Sequence, residues 1–256
     1  METFVLIHGS WHGGWCWHKV VPRIEAAGHR VLAPDMPAHG KDWRKPGGVT
    51  LDNYVARVGE ALDTITGPAV LVAHSRGGIV ASQAAERYPD RIGALVYLAA
   101  FLLPDGARVM EYGGSDKDSM IVPNLVVNPE EGWDMLKREA FRPALYADCC
   151  DDDVALCEML LTPEPLQPTL TPLRLTAERY GTVPRYYIEL LQDRAVSVTL
   201  QRRMHTAMPC KRVVSIDAGH SAYFSKPDIL TEHLLAVASE LREVRDEFAP
   251  IVAACD

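Results

Sequence analysis

Ala69-Val70-Leu71-Val72-Ala73-His74-Ser75-Arg76-Gly77-Gly78 runs five apolar residues into a short polar turn and then a glycine pair. A run apolar on both faces suits a central parallel strand, covered above and below. The stretch from Gly77 to Tyr88 is rich in small residues and reads as a helix, so Ser75 falls on a sharp strand-to-helix turn. Such a turn lifts a hydroxyl clear of the sheet, and the helix N-terminus behind it favours negative charge. The usual pattern is G-x-S-x-G, and Ala73 stands at its first glycine. A serine at a helix start can also be only an N-cap. The nucleophile reading therefore needs a base, a carboxylate and oxyanion donors elsewhere in the chain.

Outward from this segment the pattern alternates. Phe4 to Ile7 and Arg30 to Ala33 are short apolar runs, with helical spacing from Trp17 to Ala27 between them. Leu51 to Ile65 is a second helical stretch, and Ala94 to Leu98 another apolar strand. Strands alternating with helices predict an α/β fold, a mostly parallel central sheet flanked by helices. From Leu103 to Val183 the alternation stops: no fully apolar strand run occurs, eight prolines intervene between Pro104 and Pro172, and Glu130 to Phe141 and Asp152 to Leu161 are amphipathic. That length exceeds what compact domains use as connections. Residues 104–183 are therefore expected to form an inserted helical cap on a core of residues 1–103 and 184–256. The alternation resumes with Arg185 to Leu191, a helix from Val198 to Met208, a strand Arg212 to Ile216, and a terminal helix from Pro227 to Glu247.

The 256 residues are 48 % hydrophobic and 23 % charged, ordinary globular usage that excludes disordered and fibrous classes. Lys+Arg 26 against Asp+Glu 34 gives a formal charge of -8, the wrong sign for tracking phosphates, so no nucleic-acid partner is expected. No run approaches the roughly 18 apolar residues of a bilayer span, and Met1-Glu2-Thr3 opens straight into a strand-like run. No membrane association and a cytoplasmic location are the expectations. Six cysteines, with Cys149 and Cys150 adjacent, read as reduced thiols in a domain too large to need staples. Asp148-Cys149-Cys150-Asp151-Asp152-Asp153 lacks C-x-x-C or histidine spacing and reads as a solvated acidic turn with no metal.

Ser75 needs an imidazole to accept its proton and return it to a leaving group. Of nine histidines, His220 follows the late strand in Asp217-Ala218-Gly219-His220-Ser221, at the sheet edge where open α/β folds bind ligands. His205 and His233 lie in predicted helices, His29 and His39 in loops suited to structural roles, and His74 beside the turn should pack away from Ser75. The carboxylate that orients His220 is expected to be Asp193, just past the strand Arg185 to Leu191, in preference to Asp217 or Glu189. Two backbone donors should meet the oxyanion: the N–H of Arg76 and, from His8-Gly9-Ser10-Trp11-His12-Gly13-Gly14, that of Ser10. This loop lacks the spacing of a phosphate cradle.

The run from Phe4 to Trp17, Ala33-Pro34-Asp35-Met36-Pro37-Ala38-His39-Gly40, Ala73 to Gly78, Gln192-Asp193-Arg194 and Gly219-His220 resemble the α/β-hydrolase branch of plant methylesterases, hydroxynitrile lyases and bacterial carboxylesterases such as pyrethroid hydrolases. The resemblance covers the sheet domain and is weak through the cap. It implies a Ser75-His220-Asp193 triad, oxyanion donors at Ser10 and Arg76, an acyl-enzyme and no cofactor. Lyases of the branch carry Thr after the first His and Lys after the catalytic His; Gly9 and Ser221 stand there, so the chain reads as an esterase. Cyanohydrin lysis and a non-catalytic small-molecule receptor are the alternatives, whereas Ser75 argues against chemistry needing an Asp nucleophile. Arg76 stands where relatives often carry Leu or Met; its guanidinium could bind an acidic substrate or pair with a cap carboxylate. Gly9, Trp11, His12, Phe101, Trp133, Tyr146 and Leu160 are candidates to line the pocket for a small ester, and relatives suggest a homodimer.

Overall fold

The computed structural model describes residues 1–252. In chain order the first half holds β1 (Thr3–Ile7), α1 (Val21–Ala26), β2 (Arg30–Leu32), α2 (Leu51–Asp63), β3 (Ala69–His74), α3 (Gly77–Arg87) and β4 (Ile92–Leu98). Next come α4 (Val109–Ser115), β5 (Leu125–Asn128), β6 (Trp133–Leu136), α5 (Arg138–Ala140), α6 (Asp151–Leu160), β7 (Glu164–Pro165) and α7 (Leu166–Leu170). The chain then forms β8 (Arg185–Leu190), α8 (Val198–Ala207), β9 (Arg212–Ile216), α9 (Ala222–Ser225) and α10 (Pro227–Val252).

The six strands of the main sheet are parallel, in the order β2-β1-β3-β4-β8-β9. β3 is buried along its whole length in the middle of the sheet. Period-two alternation sends Phe4, Leu6, Val70 and Val72 into a core shared with Ile24 of α1 and Leu234 of α10. Val5, Ile7, Leu71 and Ala73 point the other way, into a core with Val55 and Val58 of α2, Val80 of α3 and Met204 of α8. Thus the α/β architecture expected from the alternation is the one observed. α2 starts where Thr50 and Asn53 exchange side-chain and backbone hydrogen bonds, a reciprocal cap that satisfies two helix-end donors.

Two local expectations are corrected. Trp17 to Ala27 is not one helix: a 3-10 turn over Gly14–Trp17 precedes α1, because Trp17 turns into the core before Pro22 restarts the helix. Glu130 to Phe141 is not a helix either. β6 occupies its middle with alternating burial, and β5-β6-β7 form a small antiparallel sheet. Gly132, at φ 72, makes the turn between β5 and β6, closed by its N–H on the Asn128 carbonyl. The 104–183 segment is thus helices around a three-stranded sheet rather than helices alone. Among the described residues no helix is long and apolar enough to cross a membrane.

Candidate active site

Ser75 sits at φ 53, left-handed backbone that a residue with a side chain seldom adopts. Strong neighbours hold it there: its N–H donates to the Leu98 carbonyl at 3.2 Å, and its own carbonyl accepts from Phe101 N–H at 2.9 Å and Gly78 N–H at 3.2 Å. The turn is too crowded for larger residues. A Cβ on Gly9 would lie 2.9 Å from the Ser75 Cβ, one on Gly77 2.8 Å from the His8 carbonyl, and one on Gly78 2.4 Å from the Phe101 carbonyl. Ala73 needs no glycine because its methyl is buried in the core on one face of β3.

His220 and Asp193 meet across the ends of β9 and β8. The His220 Nδ1–H donates to Asp193 Oδ2 at 2.7 Å. Asp193 Oδ1 accepts the backbone N–H groups of Ala195 at 2.7 Å and Val196 at 2.9 Å, which fix the carboxylate in place. Nδ1 being occupied, Nε2 is the ring nitrogen left to act on a substrate, and Ser75 and His220 line the same cavity. The rivals are engaged elsewhere. Asp217 accepts from the Gln192 amide, and Glu189 bonds Arg202, His205 and Ser215 on the sheet surface. His29 accepts the Glu2 N–H.

The His220 loop is held from two sides. His74 Nε2–H donates to the His220 carbonyl at 2.9 Å, and burial, then the neighbouring His220, keep the His74 imidazole neutral. Asp148 Oδ2 accepts the Gly219 N–H at 2.9 Å. The stretch Asp148 to Asp153 is therefore more than a solvated turn. Asp148 ties it to the site, Asp153 pairs with Lys19, and the three aspartates from Asp151 open α6, where negative charge suits the helix dipole.

The loop after β1 carries two histidines that are rigid neutral struts. His8 donates from Nδ1 to the Gly9 carbonyl and accepts Met36 N–H at Nε2. Burial, with repulsion from His39, pushes His8 down to about 3. His12 donates from Nδ1 to the Ser10 carbonyl at 2.7 Å and accepts the Tyr146 hydroxyl at Nε2 at 2.7 Å, and burial pushes it down to about 4. These bonds set the backbone around Ser10. The N–H groups of Ser10 and Arg76 donate to nothing among the described residues, and both residues line the cavity.

Between Ser10 and His12, Trp11 lies at φ 63 and is fastened to the inserted segment three times. Its N–H donates to Glu164 Oε2 at 2.8 Å, its carbonyl accepts Thr162 N–H at 2.9 Å, and its indole Nε1–H donates to Asp134 Oδ1 at 2.9 Å. Glu164 also accepts from the Tyr54 hydroxyl, from His39 and from the Arg76 guanidinium. Arg76 in turn donates to Thr169 Oγ1 at 3.0 Å and the Pro165 carbonyl at 3.2 Å. Of the two roles open to Arg76, the structure has the pairing with a carboxylate, that of Glu164. Burial works to raise Glu164, but Arg76 and His39 outweigh it and hold the carboxyl well below its usual range. Asp134 is the opposite case: burial and then the Glu164 charge push it up to about 7.

Of the expected lining residues, Trp11 and Phe101 border the cavity. Gly9, His12, Trp133, Tyr146 and Leu160 do not. Gly9 lies beneath the turn, His12 and Tyr146 bond each other in the core, Trp133 faces a separate groove beside Trp43, and Leu160 lies on the surface. The apolar wall instead comes from Val109, Met110, Ile121, Val122 and Leu125. Sequence reasoning missed Asp134, Asp148 and Glu164. Glu164 stands alone between Pro163 and Pro165, and no local signal ties it to Arg76, 88 positions away.

Comparison with known proteins adds an independent finding. Residues 4–232 match the model of the alpha/beta hydrolase family. Methylesterase 9 of Arabidopsis thaliana is 33 % identical over 271 residues, covering 94 % of this chain and 99 % of that protein. A solved structure described as a novel pyrethroid hydrolase from Sphingobium faniae JZ-2 superposes with a TM-score of 0.85 at 28 % identity, over 93 % of this chain and 97 % of that one. The chain spans 65 % of the length of one longer Arabidopsis thaliana relative named as a chloroplastic methylesterase, and 72 % of two others.

Proposed function

The chain belongs to the alpha/beta hydrolase family, and on that premise we propose that it is a serine carboxylesterase with Ser75, His220 and Asp193 as its triad. The observation that carries this reading is the His220–Asp193 hydrogen bond of 2.7 Å, its imidazole opening into the cavity that Ser75 lines from a left-handed turn. Ser75 Oγ attacks the ester carbonyl while His220 Nε2 takes its proton, and Asp193 stabilises the imidazolium. The N–H groups of Ser10 and Arg76 receive the oxyanion. The alcohol leaves with the proton from His220; water, deprotonated by His220, then attacks the acyl-enzyme and frees the acid. The names of the methylesterase relatives support a methyl ester as substrate, and the wall supports one with an extended apolar portion.

Cyanohydrin lysis is the weaker reading. Ser221 is buried with its hydroxyl bonded to Tyr223, no lysine among the described residues lines the cavity, and Glu164 takes up the Arg76 charge, so no ammonium or free guanidinium stands there to assist departing cyanide. In the proposed reading residues 104–183 act as the cap, since Glu164 and Asp134 reach down to Trp11. A cytoplasmic location and a homodimer belong to the same reading. Cys16, Cys149, Cys150, Cys157 and Cys210 as free thiols suit a reducing compartment, and light scattering of the purified protein checks the dimer.

The test is Ser75→Ala assayed on p-nitrophenyl butyrate, with fluorophosphonate labelling of the unaltered protein. Turnover should fall by roughly 10³-fold or more. Near-normal turnover in the variant removes the triad assignment, and labelling without turnover favours a receptor.

A further inference from the structure

Glu164 and Asp134 face each other in register on β7 and β6, yet their surroundings differ. Glu164 is saturated by Arg76, Tyr54, His39 and the Trp11 N–H. Asp134 receives one hydrogen bond, at Oδ1 from the Trp11 indole, and its Oδ2 takes none among the described residues. Asp134 is 5 % exposed, and what it meets is the cavity shared by Ser75 and His220. Oδ2 is therefore not sealed in the protein but opens on this largely apolar cavity, where a donor on a ligand can reach it and a carboxylate gains most from one.

We infer that Asp134 is a substrate-recognition residue that accepts a hydrogen bond from a protonated amine on the ester, making ammonium-bearing esters the preferred substrates. The inference rests on the esterase reading for its chemistry and on this geometry for its binding. A cation is the fitting partner because it cancels the charge of Asp134 in a medium of low polarity, where a charge-assisted bond is strongest. Arg76 does not fill this role, since its guanidinium is directed to Glu164, Thr169 and Pro165. The titratable groups facing Asp134 are Glu164 across the small sheet, Arg76 from the elbow and His39 from the loop after β2. Burial and Glu164 push Asp134 up to about 7, while Arg76 and His39 oppose them, so the preference should strengthen as the pH rises from 6 to 8 with the amine still protonated.

The experiment pairs methyl 6-aminohexanoate with methyl heptanoate, which differ by an ammonium in place of a methyl. Binding is measured by calorimetry on the Ser75→Ala protein, and turnover on the unaltered one. The ammonium ester should bind about tenfold more tightly, and Asp134→Asn, which keeps an oxygen for the Trp11 indole, should bring the ratio of the two esters close to one. Asp134→Thr is the second variant, so that a folding failure in either leaves the other to decide. Equal binding of the two esters by the Ser75→Ala protein overturns the inference, as does a ratio that survives both substitutions. Tighter binding of methyl 6-hydroxyhexanoate than of the ammonium ester overturns the cationic class. Failure of the unaltered protein to turn over any of the esters counts against the esterase reading alone, because the binding ratio still judges Asp134.

Discussion

At the scale of residues, the site depends on one buried charge pair, Arg76 with Glu164. Arg76 follows Ser75 and Glu164 comes from the segment between β4 and β8; both are buried. Removing one partner leaves the other charge without compensation, which typically costs about 3–5 kcal/mol, whereas replacing both with apolar residues costs much less. Glu164→Leu and Arg76→Leu should each lower the urea midpoint sharply, and the double variant should lose less than the sum of the two. Additive losses would mean that the pair is not the unit. Glu164→Gln isolates the charge. It keeps an acceptor for the Trp11 N–H and should retain more stability than Glu164→Leu.

At the scale of elements, the loop that carries His220, between β9 and α9, is positioned by a segment more than sixty residues earlier in the chain. Asp148 accepts the Gly219 N–H at 2.9 Å from the turn leading into α6. Asp148→Ala should free the backbone preceding His220, lowering kcat by about tenfold with KM little changed, since misplacement of a catalytic group acts on the transition state. Asp148→Asn retains an acceptor oxygen and should recover most of the loss. A change confined to KM would place Asp148 in substrate binding instead. Similarly, β6 and β7 are only four and two residues long, yet their pairing brings both Asp134 and Glu164 to Trp11.

At the scale of the whole molecule, the buried imidazoles set the response to acid. Burial pushes His8 down to about 3 and His12 to about 4, and puts His74 well below its ordinary value. The unfolded chain protonates these groups near pH 6.5 while the folded one does not, so their contribution is complete above about pH 6.5 and declines as the pH falls below it. Asp134, pushed up to about 7, works the other way, since the folded state holds its proton between about pH 4 and 7. Three imidazoles outnumber one carboxyl. Urea midpoints should therefore fall from pH 7 to pH 5, each excess proton contributing about 1.4 kcal/mol per pH unit. A midpoint that rises over this interval would show that the imidazoles are not buried neutral.

The sequence by itself determined the sheet and the strand-to-helix turn that carries Ser75. Ala69 to Ala73 is apolar on both faces because a central parallel strand is covered twice, and the polar turn before Gly77 marks where that strand ends. His220 and Asp193 were legible because strand ends in such a sheet open on one edge, whatever lies between them in the chain. Only the tertiary structure decided the cavity wall and the polar cluster behind it. Trp133 and Tyr146 are as aromatic as Trp11, but one faces another groove and the other is spent on His12. Which of its two roles Arg76 takes, and with which carboxylate, was also left to the fold, because a buried charge chooses its partner by proximity in space. A glutamate between prolines carries no periodicity to announce where the fold will take it.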